Sequence, residues 1–353
     1  MVLYNKTPIH FMQHKRKRES TDDEQLVYER AKQRHELECF KLRSPIGTFA
    51  IISADDPVPA IMSRVSIRKH YSDDDNFIQQ WLHDEHMRVV SRIVVDPSGT
   101  SAGNVFNLWK PFRASQLAAV DDHLVPELVE PIVSYIHQHI ADGSNGLADW
   151  VLNYMARILQ YPESKSGMAI WLHGDERCGK SLLFDFFCDQ VLIRSCCLTF
   201  CTQSSDNNAE QVLGPYSSMQ FAQQELTESN AIHRVCLQVH GVKRLNTKIH
   251  DLIMRNSLFI GCKYVRVANL VNLVITSNSP PPQEDIHIAG FKCSVPADLD
   301  GLRAHLQRPE VGRAFFQHLI ARPLPAGAGF RKFMRHSHPR LAACKQPVHT
   351  FQT

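Results

Sequence analysis

The chain has 353 residues, 43% hydrophobic and 21% charged, with a formal net charge of +3, 19 further histidines and a pI near 8.3. This is the composition of an ordinary globular protein of two or three domains, with a mild basic bias that permits nucleic acid without requiring it. No stretch approaches the roughly eighteen apolar residues of a membrane span and no apolar run backs the amino-terminal charges as in a secretion signal, so an intracellular protein without a membrane partner is expected.

Residues 1–22 carry the basic cluster Lys15-Arg16-Lys17-Arg18 without apolar periodicity and read as a flexible basic tail. The cluster suits a nuclear import signal, a nucleic-acid arm or plain solvated surface. An α+β region is expected over 23–115. Within it, Glu24 to His35 suits a charged helix, Phe49-Ala50-Ile51-Ile52 and Val65-Ser66-Ile67 look like short strands, and Phe77 to Leu82 reads as an amphipathic helix. Pro111 marks a boundary. A helical region over 116–162 follows: Leu128 to Ile140 and Leu147 to Leu159 have apolar residues at helical spacing, the first ending near Asp142-Gly143 and the second before Pro162.

From residue 163 to about 300 the pattern is that of an α/β nucleotide domain. The apolar run Ala169-Ile170-Trp171-Leu172 leads into Gly174-Asp175-Glu176-Arg177-Cys178-Gly179-Lys180-Ser181, which opens into Leu182-Leu183-Phe184-Asp185. This is G-x-x-x-x-G-K-[ST] in its strand, loop and helix setting, a pattern that chance produces in about one chain of this length in a hundred. Its glycines let backbone N–H groups wrap a triphosphate, and the helix that follows adds its positive end. Gly174 through Leu182 are therefore the nucleotide-binding candidates, with Lys180 on the β- and γ-phosphates and Ser181 on Mg²⁺. Cys178 is either a small loop filler or a thiol whose oxidation would block nucleotide entry. The ten cysteines contain no C-x-x-C pair, so reduced thiols are expected rather than a metal or disulfide framework.

The run Leu270 to Thr276 reads as a buried strand ending at Asn278, before Ser279-Pro280-Pro281-Pro282 breaks it. Asn278 is placed to sense the γ-phosphate or orient water, although strand-end asparagines also serve turns. For the acid that holds metal and activates water, Met219 to Leu226 supplies Glu225, with neutral Gln224 beside it; an exposed helix start bearing Glu225 and Glu228 is the alternative. Residues 301–353 are expected to form a carboxyl-terminal helical segment and tail.

Taken with these motifs, the chain resembles a superfamily three helicase of the primase-helicase type found in large DNA viruses and phages. Phe77 to Leu82 with Arg88 and Pro97, Asn104 to Phe112, and Ile158-Leu159-Gln160-Tyr161-Pro162 resemble that family's upstream segments. Lys248 to Val265 resembles the stretch bearing a hairpin lysine. The resemblance covers most of residues 24 to 335. It implies a P-loop ATPase core of the AAA+-like type, ATP and Mg²⁺ as cofactors, and a ring-forming helicase, six subunits around single-stranded or forked DNA. It assigns Lys180, Glu225 and Asn278 to catalysis, Ser181 and Glu225 to the metal, and Lys263 with Arg266 to DNA.

The chain departs from that pattern in several places. The arginine pair expected after the Asn278 strand, one of which serves a neighbouring subunit's ATP, is absent from Ile288-Ala289-Gly290-Phe291-Lys292. His250 stands where lysine is usual, and no primase domain is visible. An arginine finger is worth about three to five orders of magnitude in turnover, so weak hydrolysis is expected. The alternatives are a remnant that binds nucleotide or DNA without unwinding, and a small-molecule P-loop kinase.

Overall fold

A computed structural model describes residues 9–53, 58–201, 231–242, 247–260, 265–282, 285 and 287–324. The chain is a mixed α/β protein of two compact units. The first comprises Met1–Ile93, Ala102–Phe106 and Ile260–Val265; the second comprises Val94–Ser101, Asn107–Phe259 and Arg266–Thr353.

The first unit begins with helix α1, Ile9–Glu38, which enters the stretch expected to be a tail. The stretch lacks an apolar stripe, but its Lys, Arg, Glu and Gln residues are good helix formers, and propensity rather than amphipathicity accounts for the helix there. Strands β1 (Cys39–Leu42), β2 (Thr48–Ile51), β3 (Ala60–Ser63) and β4 (Val89–Val90) form a sheet in the order β3-β2-β1-β4, with β4 parallel to β1 and the other pairs antiparallel. The expected strand at Val65 to Ile67 is instead the first turns of helix α2, Arg64–His70. Ser63 caps that helix, accepting from the Ser66 N–H at 3.1 Å, and this local signal outweighs two β-branched residues. Helix α3, Asp75–His83, has the expected amphipathic form: Ile78, Trp81 and Leu82 pack with Cys39, Phe49, Ile51 and Ile67 into one core.

Strands β5 (Arg92–Val94) and β6 (Val105–Asn107) pair as a two-stranded sheet. Helix α4, Val125–Tyr135, continues as a π-turn to Ile140 and stops at Asp142 and Gly143, both at positive φ. Helix α5, Asn145–Gln160, starts at the Ser144 cap. The Gln160 amide donates to the carbonyls of Leu319 and Arg322, each at 2.8 Å, so its place before Pro162 has a structural use.

The second unit is built on a parallel sheet. Strands β7 (Ala169–His173), β8 (Cys197–Cys201), β9 (Cys236–His240), β12 (Asn272–Ser277) and β13 (Ile288–Lys292) lie in the order β13-β7-β12-β9-β8. Strand β12 is buried throughout, as a central strand covered on both faces must be. Helix α6, Leu182–Phe186, follows β7, and α7, Thr247–Met254, follows β9. Strands β10 (Ser257–Ile260) and β11 (Val265–Ala268) form a separate two-stranded sheet. Helices α8 (Leu299–Leu306) and α9 (Pro309–Ile320) close the described chain, and α9 packs on α4 and α5. No helix among the described residues is long and apolar enough to cross a membrane.

Candidate nucleotide site

The carboxyl ends of β7 and β12 create the site. The two strands pair in parallel with His173 opposite Ser277, so the loop after β7 and the residue after β12 emerge side by side. That loop is Gly174 to Ser181. Gly174 has φ 152°, and a side-chain carbon there would come within 2.6 Å of the Cys293 carbonyl oxygen, an approach only glycine avoids. Gly179 has φ 83° and its carbonyl accepts the Tyr135 hydroxyl at 2.9 Å, which ties the loop to α4. Arg177, at φ 62°, turns the exposed crest of the loop. Asp175 and Glu176 are exposed beside it, whereas Cys178 is buried beneath, where the small-filler reading places it. Leu182 lies partly buried against the core, and its N–H donates to the Gly179 carbonyl at 2.9 Å.

Lys180 and Asn278 meet in the structure. The Lys180 ammonium donates to the carbonyls of Gly174 at 2.8 Å and Asp175 at 2.6 Å, and to Asn278 Oδ1 at 3.3 Å. Asn278 Nδ2 donates in turn to Glu176 Oε1 at 3.4 Å. All three lysine partners are neutral oxygens, so the cation stands at the loop centre without a carboxylate among the described residues. That arrangement leaves its charge available to an anion.

Glu225 and Lys263 lie outside the described residues. Arg266 is exposed on β11 and is not a partner in the hydrogen bonds of Lys180 and Asn278. The stretch Ile288 to Lys292 is β13 itself. Ala289 and Phe291 are buried, and a side-chain carbon on Gly290 would meet Pro281 Cγ at 2.4 Å. Ala289 and Gly290 thus sit in the sheet, where a larger side chain meets its neighbours. Arg303 and Arg308, the next arginines along the chain, pair locally with Asp300 at 3.0 Å and Glu310 at 2.8 Å.

Three residues at this end of the sheet carry no signal in the motifs. Between β12 and β8 stands β9, whose last residue is His240, with Nδ1 2.6 Å from Thr276 Oγ1; burial pushes its imidazole down to about 4, so it is neutral at pH 7. Gln238, two residues earlier, is fully buried, and its Oε1 has no partner. Burial pushes the carboxyl of Asp185, on α6, up to about 7, against the polar groups of Ser181 and Gln238, which pull it down. The i,i+4 spacing of Ser181 and Asp185 is visible in the sequence, but polar residues in a short strand obscure β9. A triphosphate fits the glycine cradle and the uncompensated Lys180. Mg²⁺ would have the Ser181 hydroxyl, at the end of the loop, as its candidate oxygen.

No protein-family model and no curated protein matches the chain. Solved structures do. The apo structure of the NrS-1 C-terminal region has a TM-score of 0.55 at 15% identity, covering 91% of this chain and 75% of that one. An A-form apo structure of the same region has a TM-score of 0.54 at 15% identity, covering 88% of this chain and 71% of that one. At this identity the likeness is one of fold, and it extends over both units of the chain.

Proposed function

We propose that the chain is a P-loop ATPase module of AAA+-like type belonging to a viral-type replication protein, which binds ATP with Mg²⁺ and assembles as a ring on single-stranded DNA. The observation that carries this reading is the meeting of Lys180 with Asn278 at the adjoining ends of β7 and β12, the cation having only neutral partners. The strand order supports it, since β12 lies between the loop strand and the strand from which an acid would face the metal. DNA contact is assigned to Lys263 with Arg266, whose cations would grip phosphate without reading sequence.

A second reading, a module that binds nucleotide and hydrolyses it slowly, is favoured by one observation: β9 ends in His240 followed by Gly241, not in a carboxylate. A neutral imidazole brings no negative charge to balance a divalent cation, as a carboxylate does. Both readings are tested by ATP turnover of the purified chain with and without single-stranded DNA. DNA-stimulated turnover supports the helicase; tight binding with negligible turnover supports the slow module; no binding refutes both.

A further inference from the structure

Among the described residues, no N–H from Asp175 to Ser181 donates to a carbonyl of the chain, whereas those of Leu182 and Asp185, just beyond, donate to Gly179 at 2.9 Å and Ser181 at 2.8 Å. A row of free amides is what an anion with several oxygens needs, provided that they point towards it. Their direction is set by the peptide planes, because a trans peptide holds the carbonyl of one residue opposite the N–H of the next. At the Gly179–Lys180 peptide that plane is held from the carbonyl side, by the Tyr135 hydroxyl at 2.9 Å and the Leu182 N–H at 2.9 Å, so the Lys180 N–H points away from both. Gly179 alone would not hold it, being the least restricted residue type. A side-chain carbon there would lie 3.1 Å from Tyr135 Oη and 3.2 Å from Leu299 Cδ1, so the hydroxyl reaches the carbonyl through space that only glycine leaves.

Tyr135 is itself firmly seated. It is buried at the end of α4, where the π-turn begins, and its ring lies 5.7 Å from that of His139. His139 Nδ1 is 3.0 Å from Ser294 Oγ, and its carbonyl accepts the Ser294 N–H at 2.9 Å. The preceding residue, Cys293, donates its N–H to the His173 carbonyl at 2.7 Å and backs Gly174 with its own carbonyl. One frame therefore backs both glycines of the loop. Burial pushes the Tyr135 phenol above its ordinary value, so it remains a donor throughout the neutral range.

We infer that Tyr135 is a positioning residue of the nucleotide site: by holding the Gly179 carbonyl, it aims the Lys180 N–H at a phosphate oxygen of a nucleoside triphosphate. This rests on the nucleotide reading above. Lys180 then serves the anion twice, through its ammonium and through its backbone. The Leu182 bond closes the turn from within the loop, whereas Tyr135 ties the same oxygen to a separate helix, 44 residues before Gly179 and outside the loop motif.

The experiment measures binding of a fluorescent ATP analogue in Mg²⁺, together with the Lys180 amide resonance in protein isotopically labelled at its lysine nitrogens, identified by its loss in Lys180→Arg. In wild-type protein the analogue should displace that resonance as the amide takes up a phosphate oxygen. Tyr135→Phe removes only the hydroxyl; it should lower affinity about tenfold, and at saturating analogue the resonance should move about half as far or less. A merely structural role would weaken binding through a less stable fold and leave the displacement at saturation complete. If Tyr135→Phe does not fold, Tyr135→Met, flexible enough to fill the space and without a donor, takes its place with the same expectation. Wild-type affinity or a complete displacement in the folded variant overturns the inference, as does a wild-type resonance that stays put while the analogue binds. Failure of the nucleotide reading looks different: wild-type protein does not bind the analogue, or Lys180→Ala binds it as wild type does.

Discussion

Lys32 in the first unit and Lys180 in the second are held by opposite means. Lys32 is buried, and its ammonium meets Asp84 Oδ2 at 2.7 Å; the same oxygen accepts the Tyr28 hydroxyl at 2.7 Å. The charge is balanced within the fold, and the neighbouring carboxylate Glu36 is used up likewise by Trp81 Nε1 at 2.9 Å and the Arg88 N–H at 2.7 Å. Lys180 has only carbonyl and amide oxygens. A cation neutralised by the protein holds the protein together; one solvated by dipoles alone is poised for an anion that arrives from outside. The difference marks Lys32 as structural and leaves the charge of Lys180 open to the anion proposed above.

The strongest test of that contrast is Lys180→Ala. It should reduce ATP affinity by about a hundredfold or more, because the ammonium neutralises crowded phosphate oxygens, while the thermal melt stays near that of wild type. Unchanged affinity in folded protein would sink the phosphate-loop assignment. Gly290→Ala probes the sheet rather than the charge: its new carbon would collide with Pro281, and a loss of about 2 kcal/mol is expected in chemical denaturation. Tolerance of alanine there would mean that β13 yields to Pro281 more readily than its burial implies.

Lys32→Met should behave as the mirror image of the Lys180 variant. It leaves Asp84 without its cation, which costs about 1 to 2 kcal/mol in the first unit with no change in nucleotide affinity. Fluorescence of Trp81, one of the four tryptophans and buried in that unit, reports it in a variant lacking the other three. A parallel loss of ATP binding would erase the distinction between the two lysines.

Acid should separate the units further. Burial pushes His233 and His240 down to about 4 and lowers His318 as well, all in the second unit, against His35 alone among the described histidines of the first. Unfolded, these rings take a proton near pH 6.5. Between there and about pH 4 the unfolded chain therefore binds more protons, and the second unit loses stability as pH falls. Asp185, up at about 7, works the other way, since its folded form keeps a proton that the unfolded form releases above about pH 4, but it is one group against three. In the first unit Asp84, held down to about 2 by Lys32 and Tyr28, contributes support that is complete above about pH 4 and lost as pH falls towards 2. Trp150 and Trp171, read in place of Trp81, should show the earlier transition; coincident acid transitions would contradict this.

The smallest effect expected is that of Arg266→Ala. Its side chain is exposed on β11, and removing a single cation from the phosphates of one strand should weaken binding severalfold on every sequence and reduce the salt slope by about 0.7. A change confined to some sequences would argue for base recognition instead.

What the sequence determined by itself is local. Gly174, Gly179, Lys180 and Ser181 announce their loop because backbone conformation constrains residues a few positions apart, and α3, α5 and β12 follow from short-range periodicity. Asn278 was legible because an amide ends an apolar run just before three prolines. Tertiary structure decided the rest. That β9 adjoins β12, that His240 stands at its end, and that Ala289 and Gly290 lie within β13 all depend on which strands pair. Parallel strands buried on both faces look alike in sequence, and their order is set by packing between residues tens of positions apart, for which no local pattern carries a signal.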